Sequence, residues 1–119
     1  MNADQLAEIR AALREVVEGA PDTCATLEVA GDHSRWVQVV NCTINAAYPH
    51  SDHPLERISK SGLPSLLAIL VAWEAGKFAT FEFALVEVNP VAEWIDADFV
   101  RVMGCAEGEY HLDVMFEKL

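Results

Sequence analysis

The sequence predicts an α+β fold, an antiparallel sheet of about five strands with two long helices packed on it. Three observations carry this. Two segments repeat apolar residues at three- and four-residue spacing, the signature of a helix with one buried face. Several shorter segments, rich in Thr, Val and aromatic residues, end in turn-forming residues and read as strands. The helices flank hairpins instead of alternating with single strands, so the order is helix, two strands, short helix, two strands, helix, strand.

The first helix is marked by Leu6, Ile9, Leu13 and Val16, which fall on one stripe. Asn2 with Gln5 resembles a capping box, and Gly19 followed by Pro21 ends the element. Thr23 to Val29 reads as a strand, Ala30 to Ser34 as a turn, and Arg35 to about Ile44 as a second strand completing a hairpin. In that second strand Trp36, Val40, Cys42 and Ile44 share a face with Gln38, an imperfect alternation. Tyr48 to Pro54 is the longest loop signal, and Leu55 to Ser61 has room for a turn or two of helix before Gly62.

Leu66 to Trp73 is a continuous apolar run between Pro64 and Gly76, the pattern of a strand buried on both faces. Glu74 to Lys77 makes a tight turn, across which Glu74 and Lys77 form a surface pair. Phe78 to Val86 pairs back, with Ala79, Phe81 and Phe83 on one face and Phe78, Thr80 and Glu82 on the other. Asn89 and Pro90 open the second long helix, whose stripe is Val91, Ile95, Phe99 and Val102, with Trp94 and Met103 beside it. Gly104 closes it. Finally Tyr110, Leu112, Val114 and Phe116 alternate with His111, Asp113, Met115 and Glu117, the most regular half-buried strand pattern in the chain.

Nineteen Asp and Glu oppose eight Lys and Arg, a formal net charge of −11, while 52% of residues are hydrophobic. An unpaired carboxylate taken into a core costs several kcal/mol or gives up its charge. The chain therefore reads as an apolar core inside an acidic skin, with residues 1–119 forming one domain. Nucleic acid is excluded as a partner because the cations are scattered singly and cannot neutralise a run of phosphates. An anionic membrane surface is disfavoured for the same reason. The longest apolar run is far short of the roughly 20 residues of a membrane span. Met1 to Gln5 lacks the basic and apolar regions of a signal peptide, so the expected location is the cytoplasm. The acidity suits a basic or amphipathic partner, and it serves solubility equally well.

Catalytic and metal-binding signals are weak. Cys24, Cys42 and Cys105 fit neither a disulfide framework nor a zinc pattern, and read as small, mostly buried residues in a reducing compartment. His50, Asp52 and His53 are legitimate metal-ligand types in one loop, yet nothing in the spacing supplies further ligands, and a solvated polar loop is the simpler reading. His33 and His111 read as surface residues. The neighbouring carboxylates Asp96 with Asp98, and Glu107 with Glu109, arise by chance among nineteen acids. They mark catalysis only where burial pushes their proton affinities apart. No catalytic residue, cofactor or metal is assigned, and the chain is not expected to be an enzyme.

Two long helices can cover one face of the sheet and leave the other open. Trp36, Trp73, Phe78 and Val86 are apolar candidates to populate that open face, and an uncovered apolar face invites a partner. The partner-binding candidates are Trp36, Gln38, Trp73 and Phe78. Each aromatic, taken singly, is equally an ordinary core residue.

Four strings carry a family likeness: Trp36-Val37-Gln38-Val39, Gly62-Leu63-Pro64, Val71 to Ala79, and the helix Glu93 to Val102. Together they resemble the TY-Chap family, bacterial domains similar to type III secretion chaperones and to YbjN proteins. The likeness runs from about Arg35 to Leu119 and rests on structural positions. It implies a secretion-chaperone-like fold. It also implies a small, acidic, cytosolic homodimer that binds an extended segment of another protein. Those chaperones typically finish with a helix, whereas Glu109 to Glu117 here reads as a strand. The expected function is thus a non-enzymatic, chaperone-like binding protein that engages a protein or peptide through an exposed sheet face or groove. The alternatives are a small-ligand binder or enzyme with a pocket under a helix, and an immunity-type inhibitor of a basic toxin.

Overall fold

The computed structural model describes residues 3–19, 22–63, 68–83, 88–106 and 109–118. Helix α1 (Ala3–Glu18) leads into strands β1 (Thr23–Val29), β2 (Asp32–Val40) and β3 (Thr43–Ala47). Helix α2 (Pro54–Ser61) precedes β4 (Ala68–Glu74) and β5 (Phe78–Phe83). Helix α3 (Val88–Ala97) continues as a π-helical turn (Asp98–Val102), and β6 (Leu112–Lys118) follows. The strands form one six-stranded sheet in the order β4-β5-β3-β2-β1-β6, every neighbouring pair antiparallel.

The α+β class is as expected, but the sheet has six strands where about five were anticipated. The extra strand comes from a turn that the sequence hides. Val40 pairs directly with Thr43, so Asn41 and Cys42 form a two-residue hairpin loop. Asn41 has φ 52°, a left-handed conformation that Asn tolerates better than most residues and that matches the twist of a two-residue hairpin. The supposed single strand from Arg35 to Ile44 is therefore two. This removes the imperfection in its pattern: Ile44 pairs with Val39 in the core, while Trp36, Gln38 and Val40 point the other way.

A second correction concerns β4, expected to be buried on both faces. Among the described residues it is an edge strand paired only with β5, and Ile69 (69% exposed) and Val71 (48%) face outward. An unbroken apolar run does not say how many neighbours a strand has. The strand also carries a bulge, because Leu70 pairs with Phe81 and Ala72 with Thr80, leaving Val71 extra.

The core lies between one sheet face and the helices. Ala25, Leu27, Val37, Val39, Ile44, Ala46, Ala79 and Phe81 supply the sheet side. Leu6, Ile9 and Leu13 of α1, and Val91, Trp94 and Ile95 of α3, meet them, with the Phe81 and Trp94 rings edge-to-face at 5.2 Å. The stripes that predicted both helices are the stripes that are buried. Gln5 is buried too, but its amide donates to the Tyr110 carbonyl, anchoring α1 to the chain just before β6. Its expected capping partner Asn2, like Pro21, Pro64, Leu66, Val86 and Glu107, lies outside the described residues. No helix among the described residues is long and apolar enough to cross a membrane.

Candidate functional site: the open face of the sheet

Strand register decides which side chains share the face away from the helices. Residues directly opposite one another in a ladder point the same way, and successive residues alternate. One row runs across all six strands as Met115, Thr26, Gln38, Asn45, Thr80 and Ala72. The next is Glu117, Cys24, Val40, Thr43, Glu82 and Ile69. Towards the other end lie Asp113, Glu28 and Trp36, and, on the β3-β5-β4 side, Ala47, Phe78 and Glu74.

The middle of this face is polar but uncharged. Gln38 Nε2 donates to Thr26 Oγ1 at 3.4 Å, and Thr80 Oγ1 donates to Asn45 Oδ1 at 2.9 Å, so the row is tied pairwise across neighbouring strands. Cys24, Gln38, Val40, Thr43, Asn45, Thr80 and Glu117 line a shallow concavity of about 300 Å³. Cys24 on its floor, like Thr26 next to it on this face of β1, is almost fully buried by its neighbours, and burial raises the Cys24 thiol above its usual pKa. Outside the concavity, the two edge strands carry exposed apolar side chains: Met115 on β6, and Ile69 and Val71 on β4.

Charge is segregated on this face. Glu28, Glu74, Glu82, Asp113 and Glu117 all occupy it by register. None of the eight Lys and Arg does. Arg10 and Arg14 are on α1, Arg57 and Lys60 on α2, and Arg101 in the π-helical turn. Arg35 points to the helix side, its guanidinium 3.8 Å from Cys105 Sγ. Lys118 pairs with Thr23 in the helix-side register, and Lys77 in the β4–β5 turn is held by Glu74 at 3.1 Å. Among the described residues, Glu82, Asp113 and Glu117 have no ion-pair partner.

Of the four sequence-predicted contact residues, the structure brings Trp36, Gln38 and Phe78 to this face and takes Trp73 away. The bulge at Val71 shifts the parity of β4, so Trp73 lies opposite Ala79 on the helix side. There it meets Tyr48 edge-to-face at 6.2 Å and His53 at 5.3 Å. Sequence alternation had no means of detecting the inserted residue. It also missed Met115, Ile69 and Thr80 as parts of the face, although the alternation of β5 and β6 contained the signal for two of them.

The His50–Asp52–His53 loop is engaged in holding the fold. His53 Nδ1 caps α2 by accepting from Leu55 N at 3.2 Å, and a His50 ring nitrogen contacts the Val102 carbonyl at 2.6 Å. Asp52 accepts from Arg57 Nε at 2.9 Å and from Tyr48 Oη at 3.0 Å. The Arg57 hydrogen bond lowers the Asp52 pKa, while burial and the Asp52 hydrogen bond push Tyr48 up to about 12. No group of three or more metal-ligand side chains converges among the described residues.

The paired acids separate by environment. Asp96 accepts from the Tyr110 hydroxyl, whereas Asp98 is buried, and burial raises its pKa to about 7. Among the described residues, its Oδ2 has no hydrogen-bond partner. Cys24 and Cys105 are buried and Cys42 is exposed in the β2–β3 turn. In comparisons with family models, curated proteins and solved structures, nothing matches this chain.

Proposed function

We propose that this chain is a non-enzymatic, chaperone-like binding protein of the cytoplasm that holds a protein or peptide segment on the open face of its sheet. One observation carries the reading: a continuous six-strand face, edged by exposed apolar residues, that no described helix packs against. Trp36, Gln38 and Phe78 lie on it together, and the apolar side chains of the edge strands supply area for anchoring. The resemblance to the TY-Chap family supports the same reading, with the fold as a secretion-chaperone-like scaffold. In this reading the protein works as a homodimer. The edge of β4, apolar from Ala68 to Trp73, faces no strand on its outer side among the described residues and offers backbone groups to a second copy.

The test is site-specific photo-crosslinking in extracts of the native host. A photoreactive residue at Gln38 or Phe78 is expected to trap a defined polypeptide, and one at Ser59 on α2 is not. Equal trapping from Ser59, or none from either open-face position, overturns the proposal.

A further inference from the structure

We infer that the segment held on the open face is cationic: an extended polypeptide with Lys or Arg at positions about six residues apart and small or aliphatic side chains between. This rests on the proposed function and adds the chemistry of the partner.

The argument starts from where charge sits. The open face carries five carboxylates and no Lys or Arg, although the chain has eight cations to place. An anionic segment would meet uncompensated like charges, and an uncharged one would leave Glu82 and Glu117 partly desolvated and unpaired. Only a cationic occupant relieves both.

Geometry then sets the spacing. Glu117 on β6 and Glu82 on β5 lie in one row, four strand-to-strand steps apart through Cys24, Val40 and Thr43. At about 4.8 Å per step they are roughly 19 Å apart. An extended chain rising about 3.3 Å per residue covers that span in about six residues. Six is even, so both ends of such a segment point their side chains at the sheet. The intervening inward side chains lie over Val40, Thr43 and the Gln38–Asn45 amides, where a further charge would be desolvated without a partner. Hydroxyl, amide or short aliphatic groups fit there.

Three synthetic ten-residue peptides test this, with Thr and Val in the spacer and Lys, Gln or Glu at positions 2 and 8. Amide chemical shifts of the full chain give site and affinity together. The Lys peptide is expected to shift Cys24, Thr26, Gln38, Asn45 and Thr80. Its affinity should be about tenfold greater than that of the Gln peptide at 50 mM salt and fall towards it at 500 mM. The Glu peptide should not bind. The doubly exposed variant Glu82→Gln/Glu117→Gln, checked for an unchanged melting temperature, should lose the preference for Lys over Gln.

Equal binding of all three peptides on this face overturns the cationic inference and leaves the proposed function intact. Shifts confined to the helix side overturn both. Failure of the Lys peptide to bind at millimolar concentration, or spermidine alone reproducing its shifts and salt dependence, overturns the inference.

Discussion

The two faces of the sheet are built from the same strands, residue by alternate residue, and end in opposite states. On β1, Leu27 is completely buried under the helices, while its neighbour Thr26 faces the open side and hydrogen-bonds to Gln38. On β5, Phe81 packs on Trp94, and Glu82 next to it is exposed with no ion pair to a described residue. The helix-side face is mostly apolar, and over its centre it is buried under the helices. The open face is mixed and acidic, and its Glu82, Asp113 and Glu117 have no ion-pair partner among the described residues. What separates them is a one-residue change of parity, so function on this scaffold is written in alternate positions of strands whose other positions write the fold.

The sharpest way to break this comparison is to truncate neighbours on opposite faces. Leu27→Ala should cost about 2–5 kcal/mol, since it leaves a cavity beneath α1. Thr26→Ala should cost about 1 kcal/mol, because it removes one long hydrogen bond to Gln38 and a weak one shared with the Cys24 thiol. Urea denaturation of both variants gives the two numbers, and equal losses would mean that the open face is core.

Asp98 tests the apolar side in another way. Burial holds its proton to about pH 7, well above the usual carboxyl range, so the native state binds a proton that the unfolded chain has released. Stability from this group is full below the unfolded value and is lost as pH rises towards 7. Asp98→Asn should flatten that decline, a difference on the order of a few kcal/mol between pH 4 and pH 8. Melting temperatures across that range give the slope, and an unchanged slope sinks the assignment.

Smaller effects sharpen the turns that set parity. Asn41→Val should cost about 1–2 kcal/mol, because a β-branched residue is strained at φ 52°, whereas Asn41→Gly should be nearly neutral. Lys77→Ala should change stability by under about 0.5 kcal/mol, since its pair with Glu74 is exposed. A larger loss there would mean the turn is more than a surface link.

Much of this was legible in the residues. The stripes Leu6–Ile9–Leu13–Val16 and Val91–Ile95–Phe99–Val102 located both long helices, because a 3.6-residue period leaves few alternatives. The alternation of Phe78 to Phe83 assigned both faces of β5 correctly. Two features were not legible. Asn41-Cys42 lacks the glycine that usually announces a two-residue hairpin, so β2 and β3 merged into one. The bulge at Val71 inserts a residue of the same apolar type as its neighbours and leaves no trace in the pattern, so Trp73 was assigned to the wrong side. Of the site, Trp36, Gln38 and Phe78 were found by residue type. The charge segregation was invisible because Glu28, Glu82 and Glu117 are far apart in the chain and become neighbours only through register.

The pairing of β1 with β6 joins residues 23–29 to residues 112–118. During synthesis, β1 and β2 emerge early and can zip locally, but the outer flank of β1 must wait for residues 112–118. Until then its backbone donors and acceptors stand unguarded, and the Gln5 amide that later grasps Tyr110 has nothing to hold. β6 can close on β1 only once residues 112–118 have been made. That closing completes the concave surface in the same step that seals the nascent hairpin against unwanted pairing.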